Sequence, residues 1–177
     1  MLRIVSGKHK GRRIFPPKNL PVRPTTDFAK ESLFNILNNY FDFETVKFLD
    51  LFSGTGNMVY EISSRGCTSI VCVDADYNCC RFIKETVADL EMENVRVIKN
   101  DAFRFLNKQE EPFDIIFADP PFTNEKKKMI PEIVFSRNLL KENGWLIVEH
   151  PKEDDFSGNE RFREKRTYGN LNFSIFG

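Results

Sequence analysis

From Val46 onward, short runs of apolar residues alternate with stretches in which apolar residues recur at helical spacing. The apolar runs lie at 46–52, 69–74, 95–100, 113–119 and 145–150, and the helical stretches at 57–66, 76–91, from Ala102 and within 125–140. Strands separated by helical segments of this length are typical of βαβ units, which form a parallel sheet with helices on both faces. The pattern therefore predicts an α/β fold.

The C-terminal end of the chain departs from this alternation. Residues 161–168 and 171–177 are strand-like runs joined by Gly169 and Asn170. Two strands joined by so short a turn predict an antiparallel hairpin. We expect this hairpin at one edge of an otherwise parallel sheet.

The N-terminal segment also differs from the rest. Strand-like 2-LRIV-5 and 12-RRIF-15 flank a loop with two glycines, which predicts a β-hairpin, and the four prolines within 16–24 predict a stiff linker. A helix over 28–41, capped by Asp27 or a threonine before it, then covers part of the core. We therefore expect residues 1–24 to form an appendage and residues 25–177 the main domain.

Charge is distributed unevenly between these two parts. The chain has 26 basic and 26 acidic residues, but the first 26 positions contain no acid. Such asymmetry indicates a polyanion bound by one part of the molecule, although a solvated basic arm without a partner would look the same. The candidate phosphate contacts are Arg3, Lys8, Lys10, Arg12, Arg13 and Arg23.

Two further classes of function are disfavoured. No apolar run approaches the roughly 20 residues that span a bilayer, so we expect a cytoplasmic protein without a membrane partner. The four cysteines, Cys67, Cys72, Cys79 and Cys80, lack the paired C-x-x-C spacing of a zinc site, and we expect no metal.

Acidic residues and glycines follow several of the predicted strands. Asp50 precedes 53-SGTG-56, Asp74 ends the next strand, and Asp101 follows the one after that. In open α/β sheets ligands bind beyond the carboxyl ends of the strands, where glycines allow a sharp turn and a close approach to a ligand. A carboxylate at position 74 can accept hydrogen bonds from ribose hydroxyls, which indicates a cofactor of the adenosine type.

The identity of that cofactor depends on position 59, where the dinucleotide fingerprint would have glycine and this chain has Val59. A nicotinamide cofactor is therefore disfavoured, whereas S-adenosylmethionine carries positive charges that suit Asp50. Asp101 would accept from the adenine amine while Phe103 or Ala102 lies on the ring face, or Asp101 would only cap the following helix. The predicted cofactor set is Asp50, Phe52, Gly54, Gly56, Asp74, Ala75, Asp101, Ala102 and Phe103.

The stretch 113-FDIIFADPPF-122 brings Asp119, Pro120, Pro121 and Phe122 to the end of a buried strand. An exocyclic amine on a nucleobase is a poor nucleophile, so an enzyme must help by geometry and by hydrogen-bond acceptors. Asp119 and a backbone carbonyl of the proline pair can accept its two N–H groups, the prolines stiffen the loop, and Phe122 can stack on an extruded base. A simple proline turn after a helix-capping aspartate is the alternative.

These residues resemble the [DN]-P-P-[YFW] amino-methyltransferases, and within them the bacterial RsmD-type enzymes that modify a guanine amine of 16S ribosomal RNA. The segments that carry the resemblance are 3-RIVSGKHKGRRI-14, 23-RPTTD-27, 31-ESLFNIL-37, 49-LDLFSGTG-56, 100-NDAF-103, 118-ADPPF-122 and 147-IVEH-150. The resemblance implies a Rossmann-like class I methyltransferase with a seven-stranded sheet, a monomer, and an rRNA substrate within a small subunit. The chain departs from the family at Phe28, where arginine is usual, so a substrate contact there is in question.

Two alternatives remain open from the residues. A DNA adenine or cytosine amino-methyltransferase shares the tetrapeptide, but no segment of this sequence reads as a domain that would recognise a base sequence. A non-catalytic RNA-binding module could keep the fold, but the joint presence of Asp50, Asp74, Asp101 and Asp119 argues against it.

Overall fold

The computed structural model describes residues 1–20 and 25–177, so Arg23 lies outside the described residues. Nine strands and five α-helices occur in the described part of the chain. The strands are β1 (Leu2–Arg3), β2 (Arg13–Ile14), β3 (Lys47–Leu51), β4 (Ser69–Asp74), β5 (Val95–Lys99), β6 (Phe113–Ala118), β7 (Leu140–Pro151), β8 (Phe162–Tyr168) and β9 (Leu171–Phe176). The helices are α1 (Asp27–Leu37), α2 (Asn57–Ser64), α3 (Tyr77–Asp89), α4 (Ala102–Lys108) and α5 (Met129–Ser136).

Seven of the strands form one sheet in the order β5-β4-β3-β6-β7-β9-β8. The first five run parallel, and β9 pairs antiparallel with both β7 and β8. The predicted α/β class, the seven-stranded and mostly parallel sheet and the antiparallel hairpin at its edge are confirmed.

Successive strand residues enter two separate cores because side chains alternate between the faces of a sheet. Phe48 packs with α1, α2 and α3 on one face, and its neighbour Leu49 packs with α4 and α5 on the other. The central strands β3 and β6 are mostly apolar for this reason.

Two predicted boundaries were wrong. Helix α1 ends at Leu37 rather than at 41, because Phe41 leaves the helix and packs edge to face on Trp145 at 5.4 Å. Strand β7 begins at Leu140 rather than at 145. Its first residues include polar 141-KENG-144, which does not show the apolar pattern of a buried strand. The pairing with β6 also shifts register after Phe113. The helix predicted within 125–140 is confirmed: a short 3₁₀ turn, Glu125–Lys128, is followed there by α5.

Strands β1 and β2 form the predicted N-terminal hairpin. Its apolar side chains Leu2, Ile4 and Ile14 are buried in the same core as α1 and α2. The backbone N–H groups of Val5 and Ser6 donate to the Glu61 carboxylate on α2 at 2.8 and 3.1 Å. The hairpin is thus packed against the helix that follows the glycine turn, and the division into an appendage and a main domain stays a prediction.

Candidate active site

A cleft of about 1160 Å³ opens at the carboxyl ends of the parallel strands. It brings together eleven of the residues predicted for the cofactor and for catalysis: Asp50, Phe52, Gly54, Asp74, Ala75, Asp101, Ala102, Asp119, Pro120, Pro121 and Phe122. Gly56 and Phe103, predicted in the same set, are not among the residues that line it. The remaining lining residues come from the start of α1 and from the loops after β7 and β8, among other segments.

The turn between β3 and α2 forms the floor of this cleft. Phe52 has φ 63°, a left-handed conformation that is strained for a residue with a side chain, and Gly54 has φ 54°. Gly56 also needs its glycine, since φ is 80° and a Cβ there would lie 2.7 Å from the Tyr60 ring. The structure therefore gives Gly56 a packing role, and Gly54 is the glycine at the cleft surface.

Asp74 is held in place by backbone N–H groups on both sides. Its Oδ2 accepts from the Gly54 N–H at 2.8 Å, and its Oδ1 accepts from the Asp76 N–H at 2.8 Å. Each carboxylate oxygen has a second lone pair, so these bonds leave acceptor capacity toward the cleft. The carboxylate is fixed in orientation before any ligand arrives.

Asp101 caps helix α4, as the simpler alternative expected, because its Oδ1 accepts from the Arg104 N–H at 2.9 Å. The side chain is exposed at the cleft, so its second oxygen is accessible to a ligand. Ala102 lines the cleft, whereas Phe103 packs edge to face against Phe52 with ring centroids 6.0 Å apart. Of the two residues predicted to cover an adenine ring, the geometry favours Ala102.

Asp50 is the most buried acid of the cleft, with 2% of its surface exposed. Its Oδ2 has no hydrogen-bond partner among the described residues. Burial, reinforced by the charges of Asp74 and Glu149, raises the pKa of Asp50 well above its usual range. A buried carboxylate oxygen without a donor fits a cationic ligand, because a positive charge would offset its cost of desolvation.

The Asp-Pro-Pro-Phe loop continues β6 past its end. The Asp119 N–H donates to the Leu51 carbonyl at 3.3 Å, which extends the pairing with β3, and the Pro121 carbonyl accepts from the Asn124 N–H at 2.8 Å. Because the Pro121 carbonyl closes this turn, Pro120 is the better candidate for a backbone acceptor. Phe122 is 44% exposed at the rim of the cleft.

Lys127 anchors this loop and was not identified from the sequence. Its Nζ donates to the Phe122 carbonyl at 2.8 Å and forms an ion pair with Asp154 in the loop after β7. Its position in the polar run 125-EKKK-128 gave no signal, since only the fold shows that one of these lysines is buried.

Asp119 and Glu149 lie at the same level of adjacent strands, directly after the paired residues Ala118 and Val148. Burial is the main reason that the pKa of Asp119 is raised well above its usual range, and the nearby Glu149 and Asp50 add to it. Glu149 is 4% exposed and accepts from the Thr25 hydroxyl at 2.6 Å. Neither Glu149 nor Thr25 was in the predicted set, although both lie in segments that carry the family resemblance.

Two further aromatic residues, Phe28 and Tyr168, line the cleft. Phe28 is 71% exposed and packs edge to face against Tyr168, with ring centroids 5.9 Å apart. At the position where the family usually has arginine, this chain therefore places an apolar ring at the cleft entrance.

The basic residues predicted to contact phosphate are exposed in the described part of the hairpin: Arg3, Lys8, Lys10, Arg12 and Arg13. Arg3 donates to Asp27 at the start of α1 at 3.1 Å, which connects this surface to the cleft entrance. Lys30 of α1 is buried and donates to the Arg3 carbonyl at 2.6 Å and to Asn57 Oδ1 at 2.8 Å. Hairpin, α1 and α2 thus form one connected wall beside the cleft.

Residues 1–20 and 25–177 offer neither a metal site nor a membrane span. No group of three or more His, Cys, Asp or Glu side chains there is placed to hold a metal ion. No helix in these ranges is long and apolar enough to cross a membrane.

Comparison with known proteins gives matches over the whole chain. The family model described as conserved hypothetical protein 95 matches residues 2–177. A Bacillus subtilis protein named "Putative rRNA methyltransferase YlbH" is 35% identical over 99% of this chain and 98% of its own length. The ribosomal RNA small subunit methyltransferase D of Escherichia coli K12 is 33% identical over 84% of this chain and 71% of its own.

Solved structures show the same fold. The hypothetical protein TTHA0928 of Thermus thermophilus superposes with a TM-score of 0.88 at 25% identity, over 99% of both chains. An RNA methyltransferase from Salinibacter ruber in complex with S-adenosyl-L-homocysteine gives a TM-score of 0.69 at 13% identity, over 87% of this chain and 92% of its own.

Proposed function

The chain belongs to the RsmD-type methyltransferases, the family of the conserved hypothetical protein 95 model, and on that premise we propose that it methylates the exocyclic amine of a guanine in small-subunit ribosomal RNA. The observation that carries the proposal is the position of Asp119. Its carboxylate shares one cleft with Asp50, whose buried oxygen has no partner among the described residues. An acceptor for an amine and a site for a cation therefore lie together.

S-adenosylmethionine is the proposed cofactor, and it supplies, when bound, an electrophilic methyl group on a positively charged sulfur. Asp50 would offset positive charge of the cofactor, Asp74 would accept from the ribose hydroxyls, and Asp101 with Ala102 would hold the adenine. Gly54 allows a ligand to approach the backbone there.

On the acceptor side, Asp119 and the Pro120 carbonyl would each accept one N–H of the amine. Two acceptors fix the amine's orientation and stabilise the positive charge that grows on its nitrogen during transfer. Pro121 and Lys127 stiffen the loop, and Phe122 would stack on a base taken out of its helix. No strong general base is required, because the methylated amine loses its proton readily to water.

The exposed basic face of the hairpin would contact phosphates of the RNA. We assign this role to Arg3, Lys8, Lys10, Arg12 and Arg13, and expect the same of Arg23. We further propose that the protein acts as a monomer on an assembled or assembling small subunit in the cytoplasm.

Nucleoside mass mapping tests this function. Small-subunit rRNA from a strain lacking the protein should lack one N2-methylguanosine, and purified protein with S-adenosylmethionine should restore it. An unchanged set of rRNA nucleosides, or a missing methyl group on DNA adenine or cytosine instead, would overturn the proposal.

A further inference from the structure

Glu149 stands beside Asp119 in the wall of the cleft. Strands β6 and β7 are parallel, with Ala118 opposite Val148, so Asp119 and Glu149 follow at the same level on neighbouring strands. Neighbouring strands lie about 4.8 Å apart, and side chains at the same level of paired strands point to the same face. Both residues line the cleft, so two carboxylates are presented side by side.

The surroundings of Glu149 keep this carboxylate oriented. The Thr25 hydroxyl donates to its Oε2 at 2.6 Å, and the Thr25 carbonyl accepts from Asn57 Nδ2 at 2.9 Å. Thr25 and Glu149 are 8% and 4% exposed. A carboxylate can accept about four hydrogen bonds, so Glu149 can keep its partners within the fold and still accept from a ligand.

Guanine and adenine differ in what lies beside the exocyclic amine. In guanine the amine lies between N1, which carries a hydrogen, and N3, which is an acceptor, so the edge formed by the amine and N1 presents two adjacent groups of donors. In adenine the neighbouring ring nitrogen is an acceptor. Two adjacent carboxylates can accept from both donors of the first edge, whereas the ring nitrogen of the second would turn its lone pair toward a carboxylate oxygen. A site built to accept from a substrate N–H rejects the analogue that lacks it.

Resting on the proposed function, we propose that Glu149 is the residue that selects guanine, by accepting from the ring N–H while Asp119 accepts from the amine. Thr25 is its positioning residue. Discrimination against adenine then comes from a residue outside the Asp-Pro-Pro-Phe loop.

Glu149→Gln tests the inference, because it keeps the size of the side chain and turns one acceptor into a donor that suits adenine. The substrates are reconstituted small subunits carrying either the guanine mapped by mass spectrometry or an adenine in its place. We expect the ratio of single-turnover rates, guanine over adenine, to fall about tenfold or more in Glu149→Gln. Glu142→Gln, an exposed acid on the same strand, should leave the ratio unchanged.

S-adenosylhomocysteine affinity, measured by calorimetry, should be the same in all variants and shows that each is folded. Thr25→Val supplies a second test, since it should slow transfer to guanine several-fold without promoting transfer to adenine. If Glu149→Gln transfers methyl groups to guanine at the wild-type rate and with the wild-type guanine-over-adenine ratio, this inference is overturned and the proposed function is not. Wild-type preference for the adenine particle would overturn the proposed function as well.

Discussion

The cleft has two halves that hold their polar groups in different ways. Over β3, β4 and β5, Asp74 accepts two backbone N–H groups and Asp101 accepts one, so both carboxylates are fixed by the main chain. Over β6 and β7, burial rather than hydrogen bonding dominates the environment of the Asp119 carboxylate. Glu149 is oriented there by a hydroxyl from another part of the chain.

This difference suits the ligand that is proposed for each half. A cofactor half with carboxylates oriented in advance loses little entropy when ribose and adenine arrive. An acceptor half in which the Asp119 carboxylate is partly buried gains most when a donor-rich base edge enters. We therefore expect the hydrogen bonds formed in the acceptor half to supply most of the free energy that orients the amine.

The largest expected effect is on chemistry in the acceptor half. Asp119→Ala should lower the single-turnover rate of methyl transfer by a factor of about 100 or more, because it removes one preorganised acceptor. Asp119→Asn is the matched control, since an amide oxygen still accepts although without a charge, and it should lose less of the rate than Asp119→Ala does. Equal losses in both variants would show that the negative charge, rather than the acceptor, is what matters.

The same residue predicts a pH dependence. Ionised Asp119 accepts from the amine more strongly than the protonated acid does, and its raised pKa moves its protonation to a higher pH than that of an ordinary aspartate. The wild-type rate should therefore fall on the acid side earlier than an exposed carboxylate would predict, and Asp119→Asn should lack this fall. A rate profile with the same acid limb in both proteins would contradict the assignment.

In the cofactor half, Asp74→Ala should weaken S-adenosylmethionine binding by about 2 kcal/mol, or roughly 30-fold, the scale of charge-assisted hydrogen bonds left unmade. Titration calorimetry measures this directly. Asp89→Ala, at an exposed position on α3, should bind as the wild type does. A preference of the wild-type protein for NAD would refute the cofactor assignment.

Phe122→Ala should weaken binding of the small subunit by about 1–3 kcal/mol, the usual worth of one base stacked on an aromatic ring. Phe122→Tyr should be tolerated because it keeps the ring face. Filter-binding titrations with both variants separate stacking from loop integrity. Wild-type affinity in Phe122→Ala would remove this ring from the proposed base contact.

Asp50 lies in the cofactor half, on the strand that pairs with β6 of the acceptor half, and its substitution should lower cofactor binding while raising stability. In the unfolded chain Asp50 ionises near its usual pKa, whereas burial raises its pKa in the fold, so ionisation at neutral pH disfavours the folded state. Asp50→Asn should therefore raise the melting temperature at pH 7 by about 2–4 °C, with the advantage disappearing below about pH 4. Cofactor affinity should fall in the same variant, and a lower melting temperature at pH 7 would contradict this account.

The smallest effect is expected outside the cleft. Charge reversal of Arg12 and Arg13 should make the plot of log K for RNA binding against log salt concentration less steep, by about 0.9 per lost phosphate contact. Cofactor affinity should stay the same. Arg81→Glu, on the exposed surface of α3, is the matched control. An unaltered slope would show that the basic residues of the hairpin are solvated and do not contact RNA phosphates.

The sheet and the position of the Asp-Pro-Pro-Phe loop at the cleft were predictable because their signals are local. Alternating apolar runs and helical stretches gave the α/β class, and Asp119 followed from four consecutive residues at the end of a strand. Packing decided what local signals could not. Gly56 is a glycine because of the Tyr60 ring, and Phe103 faces Phe52 instead of the cleft.

Glu149 could not be predicted because its environment is built from distant segments. Thr25 lies 124 residues away in sequence, and only the pairing of β6 with β7 brings Glu149 beside Asp119. Lys127 is a similar case, since its partners Phe122 and Asp154 come together only through two loops. Hydrophobic periodicity and the spacing of motifs in the sequence do not indicate such contacts.

The single-turnover rate measured against S-adenosylmethionine concentration, on small subunits lacking the modification, tests the division of the cleft most directly. At saturating cofactor, Asp74→Ala should reach the wild-type plateau, because only its affinity is impaired. Asp119→Ala should reach a plateau rate about 100-fold lower than that of the wild type, because its loss lies in the chemical step, which added cofactor does not restore. An Asp119→Ala protein that reaches the wild-type plateau would contradict the account.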